Sequence, residues 1–117
     1  GSQKPATVSG ELVEIASSEE IESLIKQAKK PIIIDFYAPW CRPCRDMMPL
    51  IKTLASRYAD KVLFVKVNID NLDAFATRHR IRGVPTFIFI KDGAERDRIV
   101  GGGVSEAQFA SKIDVLL

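Results

Sequence analysis

The sequence predicts an α/β protein, with a central mixed sheet covered by helices on both faces. Three observations carry this expectation. Strand and helix signals alternate in the order β-α-β-α-β-α-β-β-α, and helical connections imply parallel neighbours among the early strands. The run Ile32-Ile33-Ile34-Asp35-Phe36-Tyr37 is β-branched and aromatic without polar alternation, the pattern of a strand buried on both faces. Asp92-Gly93, between strand signals at 86–90 and 96–100, reads as a tight hairpin because Asp and Gly tolerate positive φ. The hairpin adds an antiparallel pair to the sheet, which makes five strands and four helices in all.

Each element has its own local reason. Residues 1–10 are polar and aperiodic and read as a flexible lead-in. Gly1-Ser2 at its head has the look of a cloning remnant. The domain itself is expected over 11–117. Leu12-Val13-Glu14-Ile15 is the first strand candidate. Ser17 with Glu20 forms a capping-box signature, and Ile21, Leu24, Ile25 and Ala28 follow at helical spacing until Pro31. After the buried strand, a helix should start near Cys41, with Met47, Ile51, Leu54, Ala55 and Tyr58 as its core face and Pro49 kinking it. Residues 62–67 read as a strand. Asn71 is placed to cap a short helix whose inner face is Leu72, Phe75 and Ala76. Ser105 and Gln108 form a second capping box, and Phe109, Ile113 and Leu116 give the last helix its buried stripe.

Composition narrows the function. The chain has 117 residues, 46% hydrophobic and 27% charged, which suits one globular domain and excludes disorder. Seventeen basic and fifteen acidic residues leave a net charge of +2, too balanced to imply a nucleic-acid or membrane-surface protein. The longest apolar runs, such as Phe87-Ile88-Phe89-Ile90, fall far short of the ~18 residues a membrane span needs. Two cysteines are too few for a disulfide framework, and a single histidine leaves a zinc site short of donors. Cys41 and Cys44 are therefore either incidental or a redox pair.

Their setting favours the redox reading. Tyr37-Ala38-Pro39-Trp40-Cys41-Arg42-Pro43-Cys44-Arg45 lies where a buried strand gives way to a helix, the end at which open α/β sheets place their sites. With Cys41 at the N-cap, its sulfur can accept the N–H of Cys44, and the helix dipole favours the thiolate. Pro43 fits the first turn, where its missing donor costs nothing. Arg42 and Arg45 add positive charge nearby. A structural role as a disulfide is weak, because so short a loop removes little chain entropy.

These residues resemble those of the thioredoxin family. The likeness runs from about residue 11 to 117. It rests on Asp35-Phe36-Tyr37-Ala38-Pro39-Trp40-Cys41-Arg42-Pro43-Cys44, Pro49, Val67-Asn68-Ile69-Asp70, Ile81-Arg82-Gly83-Val84-Pro85-Thr86 and Val100-Gly101. The resemblance implies the thioredoxin fold and dithiol–disulfide exchange on substrate protein disulfides. Cys41 is then the exposed nucleophile and Cys44 the buried resolving thiol. Asp35, costly to bury as a charge, either reaches water at a strand end or is the buried proton acceptor for Cys44 that the resemblance implies. Lys66 is either an ordinary solvent-facing strand residue or the lysine that lies near this acid. The resemblance also makes the Val84–Pro85 bond cis, against the usual preference of X-Pro bonds. Trp40, Arg42, Pro43, Gly83, Val84, Pro85, Thr86 and Gly101 are expected to form a shallow docking surface for an extended substrate segment.

The implied unit is a monomer without cofactor or metal, reversibly forming a Cys41–Cys44 disulfide. Its electrons come from a thioredoxin-reductase-like or membrane electron donor. Nucleic acid and a membrane span are not expected. A cytoplasmic location is expected, with a periplasmic or otherwise exported one as the alternative if a targeting segment preceded residue 3. Arg42 departs from the Gly that commonly follows the first cysteine in this family. A cation there favours the thiolate and moves the pair towards a more oxidising potential, which keeps an exported thiol oxidase or isomerase as the alternative function. A non-catalytic binding scaffold is the remaining reading. Arg78-His79-Arg80 and Arg82 form a basic run expected to complement a helix C-terminus, with a partner-steering patch as the alternative. Met47 and Met48 read as core filler.

Overall fold

The structure, a computed structural model, describes residues 10–117. The predicted lead-in, 1–10, therefore lies outside the described residues except for Gly10. The elements follow the expected order: β1 Leu12–Glu14, α1 Ser18–Gln27, β2 Ile32–Tyr37, α2 Arg42–Arg57, β3 Leu63–Asn68, α3 Asp73–Arg78, β4 Thr86–Lys91, β5 Ala94–Val100 and α4 Glu106–Asp114. The sheet order is β1-β3-β2-β4-β5. β3 pairs in parallel with both β1 and β2, whereas β4 is antiparallel to β2 and β5 is antiparallel to β4.

The two faces of β2 divide the core. Ile33 joins Phe64, Phe87 and Phe89 under α2 and α4, where Met47, Ile51, Leu54, Phe109 and Ile113 close the layer. Ile32, Ile34 and Phe36 join Val65, Val67, Ile88 and Ile90 on the other face, covered by Ile21 of α1 and by Phe75 and Ala76 of α3. This two-sided burial is the reason the strand lacks polar alternation. Phe109 packs edge-on to Phe87, with ring centroids 5.2 Å apart. Full burial of such a ring contributes about 1.5–3 kcal/mol.

Local chemistry sets the boundaries. Ser17 Oγ accepts the Glu20 N–H at 3.3 Å, and only this half of the expected box forms among the described residues. α1 stops at Gln27, ahead of Pro31. Pro49 sits inside α2, which continues through it. The hairpin turn has Asp92 at φ 51 and Gly93 at φ 78, the positive pair that suits the twist of the flanking strands. That turn is tight enough for Lys91 to pair with Ala94, so β5 starts earlier than the expected residue 96. At α4 the full box forms: Gln108 N–H donates to Ser105 Oγ at 3.1 Å, and Ser105 N–H donates to Gln108 Oε1 at 3.0 Å.

One cap differs from expectation. The N-cap of α3 is Leu72, with no side-chain bond, and not Asn71. The turn leaving β3 is organised by Asn68, whose Oδ1 accepts the Asp70 N–H at 2.9 Å. Its carbonyl also accepts the N–H groups of Asn71 and Leu72. Asn68 is buried and fixed by β3, so it outcompetes the exposed Asn71 for organising the turn.

Candidate active site

The site grows from the junction of β2 and α2. Cys41 is the N-cap of α2, with φ −89 and ψ 109, and its Sγ accepts the Cys44 N–H at 3.1 Å. A helix start leaves N–H groups unpaired, and here one of them points at sulfur. The first turn of α2 carries no acidic residue to oppose a thiolate. Pro43 occupies that turn without costing a bond. The sulfurs of Cys41 and Cys44 are joined in a disulfide, with Cα atoms 5.3 Å apart.

Burial does not separate the two cysteines as expected. Cys41 is 4% exposed and Cys44 3%. Both cysteines share one buried cluster with Ala38, and Tyr37, Ile69 and Val84 pack against that cluster. What distinguishes them is position: Cys41 caps the helix and accepts, whereas Cys44 lies a turn inside and donates. Arg42 is largely exposed, and its Nε lies 3.9 Å from Asp46 Oδ2, one helical turn on. Arg45 turns the other way, donating from Nη1 to the Pro39 carbonyl at 2.7 Å.

Asp35 is 2% exposed, so it does not reach water at a strand end. On β2 it shares the side of Ile33, the side α2 covers, and lies three residues before Ala38 of the cysteine cluster. Its Oδ1 is buried without a hydrogen-bond partner. Burial pushes its pKa from 3.8 up to about 7, while Lys66 pulls it back. Lys66 is the register partner of Asp35 across β2 and β3, and of Glu14 across β1 and β3. It is half-buried, with Nζ 5.2 Å from the Tyr37 ring centroid. Lys66 is thus partly solvated, and its charge acts on Asp35. Burial and a hydrogen bond to Glu14 push the Tyr37 phenol up, so it stays neutral.

A second loop lies beside the cysteines. The Val84–Pro85 bond is cis, and Val84 packs on the cysteine cluster. Thr86 Oγ1 donates to the Gly83 carbonyl at 2.7 Å, and the Gly101 N–H donates to the Pro85 carbonyl at 2.8 Å. Gly101 has φ +92, which a side chain would strain. A β-carbon on Gly102 would sit 3.6 Å from Pro43, so the glycine loop lies beside the start of α2. Trp40 is 67% exposed and does not pack into the core. Its Nε1–H donates to Asp70 Oδ2 at 3.2 Å.

Asp70, Asp46 and the exposed Val100, next to Gly101, are among the residues of this region that sequence reasoning did not assign. Asp70 stood in the Val67-Asn68-Ile69-Asp70 motif, but nothing local links it to a tryptophan thirty residues earlier. Asp46 could have been found from its i,i+4 spacing to Arg42. Among the described residues no group of three or more His, Cys, Asp and Glu is arranged to hold a metal, and no helix is long and apolar enough to cross a membrane.

The family model described as Thioredoxin matches residues 12–115. The chain belongs to the thioredoxin family. It is 35% identical over 102 residues to Thioredoxin M-type, chloroplastic, of Pisum sativum, an alignment covering 87% of this chain and 59% of that protein. It is 38% identical over 90 residues to Thioredoxin 1 of Synechococcus elongatus, covering 77% and 83% of the two chains. Reduced thioredoxin pre-protein of Schistosoma mansoni superposes with a TM-score of 0.82 at 39% identity, covering 92% of this chain and 99% of that one. Oxidised mitochondrial thioredoxin 3 of Saccharomyces cerevisiae gives 0.80 at 33%, covering 90% and 95%. The chain spans somewhat over half the length of the Pisum sativum and Brassica napus relatives. The mixed five-stranded sheet with four helices is the thioredoxin fold, and Cys41–Cys44 is its disulfide-forming Cys-x-x-Cys pair.

Proposed function

We propose that this chain reduces protein disulfides by dithiol–disulfide exchange. The observation that carries the reading is the Cys44 N–H on Cys41 Sγ at the start of α2, in a chain of the thioredoxin family. In the reduced protein that N–H and the helix dipole favour the Cys41 thiolate, the attacking species. It attacks one sulfur of a substrate disulfide, forming a mixed disulfide and releasing one substrate thiolate. Cys44 passes its proton through water to the Asp35 carboxylate and attacks Cys41 Sγ. The second substrate thiolate then leaves, and both substrate sulfurs take up protons. The substrate gains two electrons, and Cys41–Cys44 becomes the disulfide. A reductase or a membrane electron donor then restores the dithiol.

Asp35 suits the proton step because a carboxyl near 7 can both accept and return a proton at neutral pH. Lys66 tempers that value. Trp40, Arg42, Pro43, Gly83, Val84, Pro85, Thr86 and Gly101 serve as the docking surface, with the Val84 backbone pairing to an extended substrate strand. Arg42 supports a second reading, a thiol oxidase or isomerase of an exported compartment. Its exposure and its pairing with Asp46 dilute its effect on sulfur and favour the reductase.

Insulin reduction, together with the midpoint potential of the pair, tests the proposal. Cys41→Ser is expected to lose the activity. Full activity in that variant overturns the assignment. A potential near about −270 mV supports the reductase, and one between about −180 and −120 mV the alternative.

A further inference from the structure

The basic run near the end of α3 was expected to complement the helix end. Arg78 does lie in the last turn, where it pairs with Glu22 of α1. The carbonyls at the exit of α3 are met by a residue far away in sequence, Arg98 of β5. Its Nη2 donates to the His79 carbonyl at 2.9 Å, and its Nη1 to the Arg80 carbonyl at 3.4 Å. The same guanidinium is held from behind by Glu95: Nε to Oε2 at 2.7 Å and Nη2 to Oε1 at 2.8 Å.

A bulge makes this fork possible. Residues three apart on a strand face opposite sides. Between β4 and β5, however, Ile90 pairs with Glu95, Phe89 with Asp97 and Ile88 with Arg98. The extra residue, Arg96, brings Glu95 and Arg98 to the side of Ile88 and Ile90, which is the α3 side. Asp97 faces the other way and bonds Lys112 of α4.

The point being held matters for docking. Arg80 has φ 57, an uncommon conformation for a residue with a side chain, and the segment 81–85 leaves from it. That segment ends at Pro85, whose carbonyl accepts the Gly101 N–H. Its two ends are thus tied to one short stretch, 98–101.

We propose that Arg98, braced by Glu95 across the bulge, is a positioning residue for the substrate-docking segment 81–85. It fixes the departure of that segment from α3, as Gly101 fixes its end. The inference rests on the disulfide-reducing reading above. Arginine is required because one planar fork satisfies two carbonyls and a carboxylate together, which the single ammonium of lysine does not match.

The test compares wild type with Arg98→Met, Arg98→Lys and Glu95→Gln on insulin and on a small aromatic disulfide, dithiobis-nitrobenzoate. Arg98→Met is expected to raise KM for insulin roughly 3- to 10-fold, the worth of about one lost hydrogen bond, with kcat little changed. Turnover of the small disulfide and the Cys41–Cys44 midpoint potential should match wild type. Lysine should restore part of the loss, and Glu95→Gln should fall between. Amide hydrogen exchange over 81–84 should quicken in Arg98→Met. Equal loss on both disulfides, or an unchanged insulin KM, overturns the proposal. If wild type reduces neither disulfide, the underlying reading fails instead, and hydrogen exchange alone decides whether Arg98 holds the segment.

Discussion

Replacing Asp35 by Asn should stabilise the oxidised protein at alkaline pH and scarcely change it in acid. Asp35 is 2% exposed, with one carboxylate oxygen unpartnered, and its pKa rises from 3.8 to about 7. The folded state therefore holds its proton more tightly than the unfolded chain. The stability this provides is fully present below about pH 4 and lost as pH rises through about 7. At about 1.4 kcal/mol per tenfold change in proton affinity, the loss is about 4 kcal/mol. Water penetration and relaxation make that figure an upper bound. Asparagine keeps the shape and cannot ionise. Its own hydrogen-bond cost is independent of pH, so the difference between the two proteins isolates the carboxylate. Denaturant unfolding of both oxidised proteins from pH 4 to 9 provides the curve. The advantage of the Asp35→Asn variant over the wild type should grow by up to about 4 kcal/mol and level off above about pH 8. A difference that stays flat with pH, or shrinks as pH rises, refutes the reasoning.

Two smaller effects are also measurable. Arg42→Gly should move the Cys41–Cys44 potential in the reducing direction by no more than about 20 mV, since exposed charges contribute at most about 1 kcal/mol and about 30 mV corresponds to 1.4 kcal/mol. Asp46→Asn, which frees Arg42 from its partner, should move it the opposite way, and redox titration with either sign reversed contradicts the assignment. Ser105→Ala breaks the capping box of α4 and should cost about 1 kcal/mol in denaturant unfolding, lowering Tm by about 4–8 °C. An unchanged midpoint would mean that α4 is held by Phe109 and Ile113 alone.

Much of this fold is written in short-range patterns. β2 matched its predicted span because a six-residue β-branched and aromatic run has few alternatives. The start of α2 was legible because an N-cap, a proline and a periodic apolar face coincide at Cys41. Ser105 and Gln108 announced α4 for the same reason. Where local signals competed, as with Asn68 and Asn71, the buried residue already anchored in a strand prevailed.

The candidate site divides along the same line. The sequence by itself determined the cysteine pair, its helix-capping geometry, the hairpin glycine and the acid placed in an apolar strand. Those features depend on neighbours within one turn or one strand. Tertiary structure alone decided that Asp35 is fully enclosed, that Cys41 is as covered as Cys44 in the disulfide, and that Trp40 leans on Asp70. It alone brought Arg98 to the end of α3 through a bulge that no propensity marks. The physical reason is common to all of these. Burial, desolvation and long-range hydrogen bonds arise from segments that meet only after the sheet has chosen its order, and that order is a property of the whole chain.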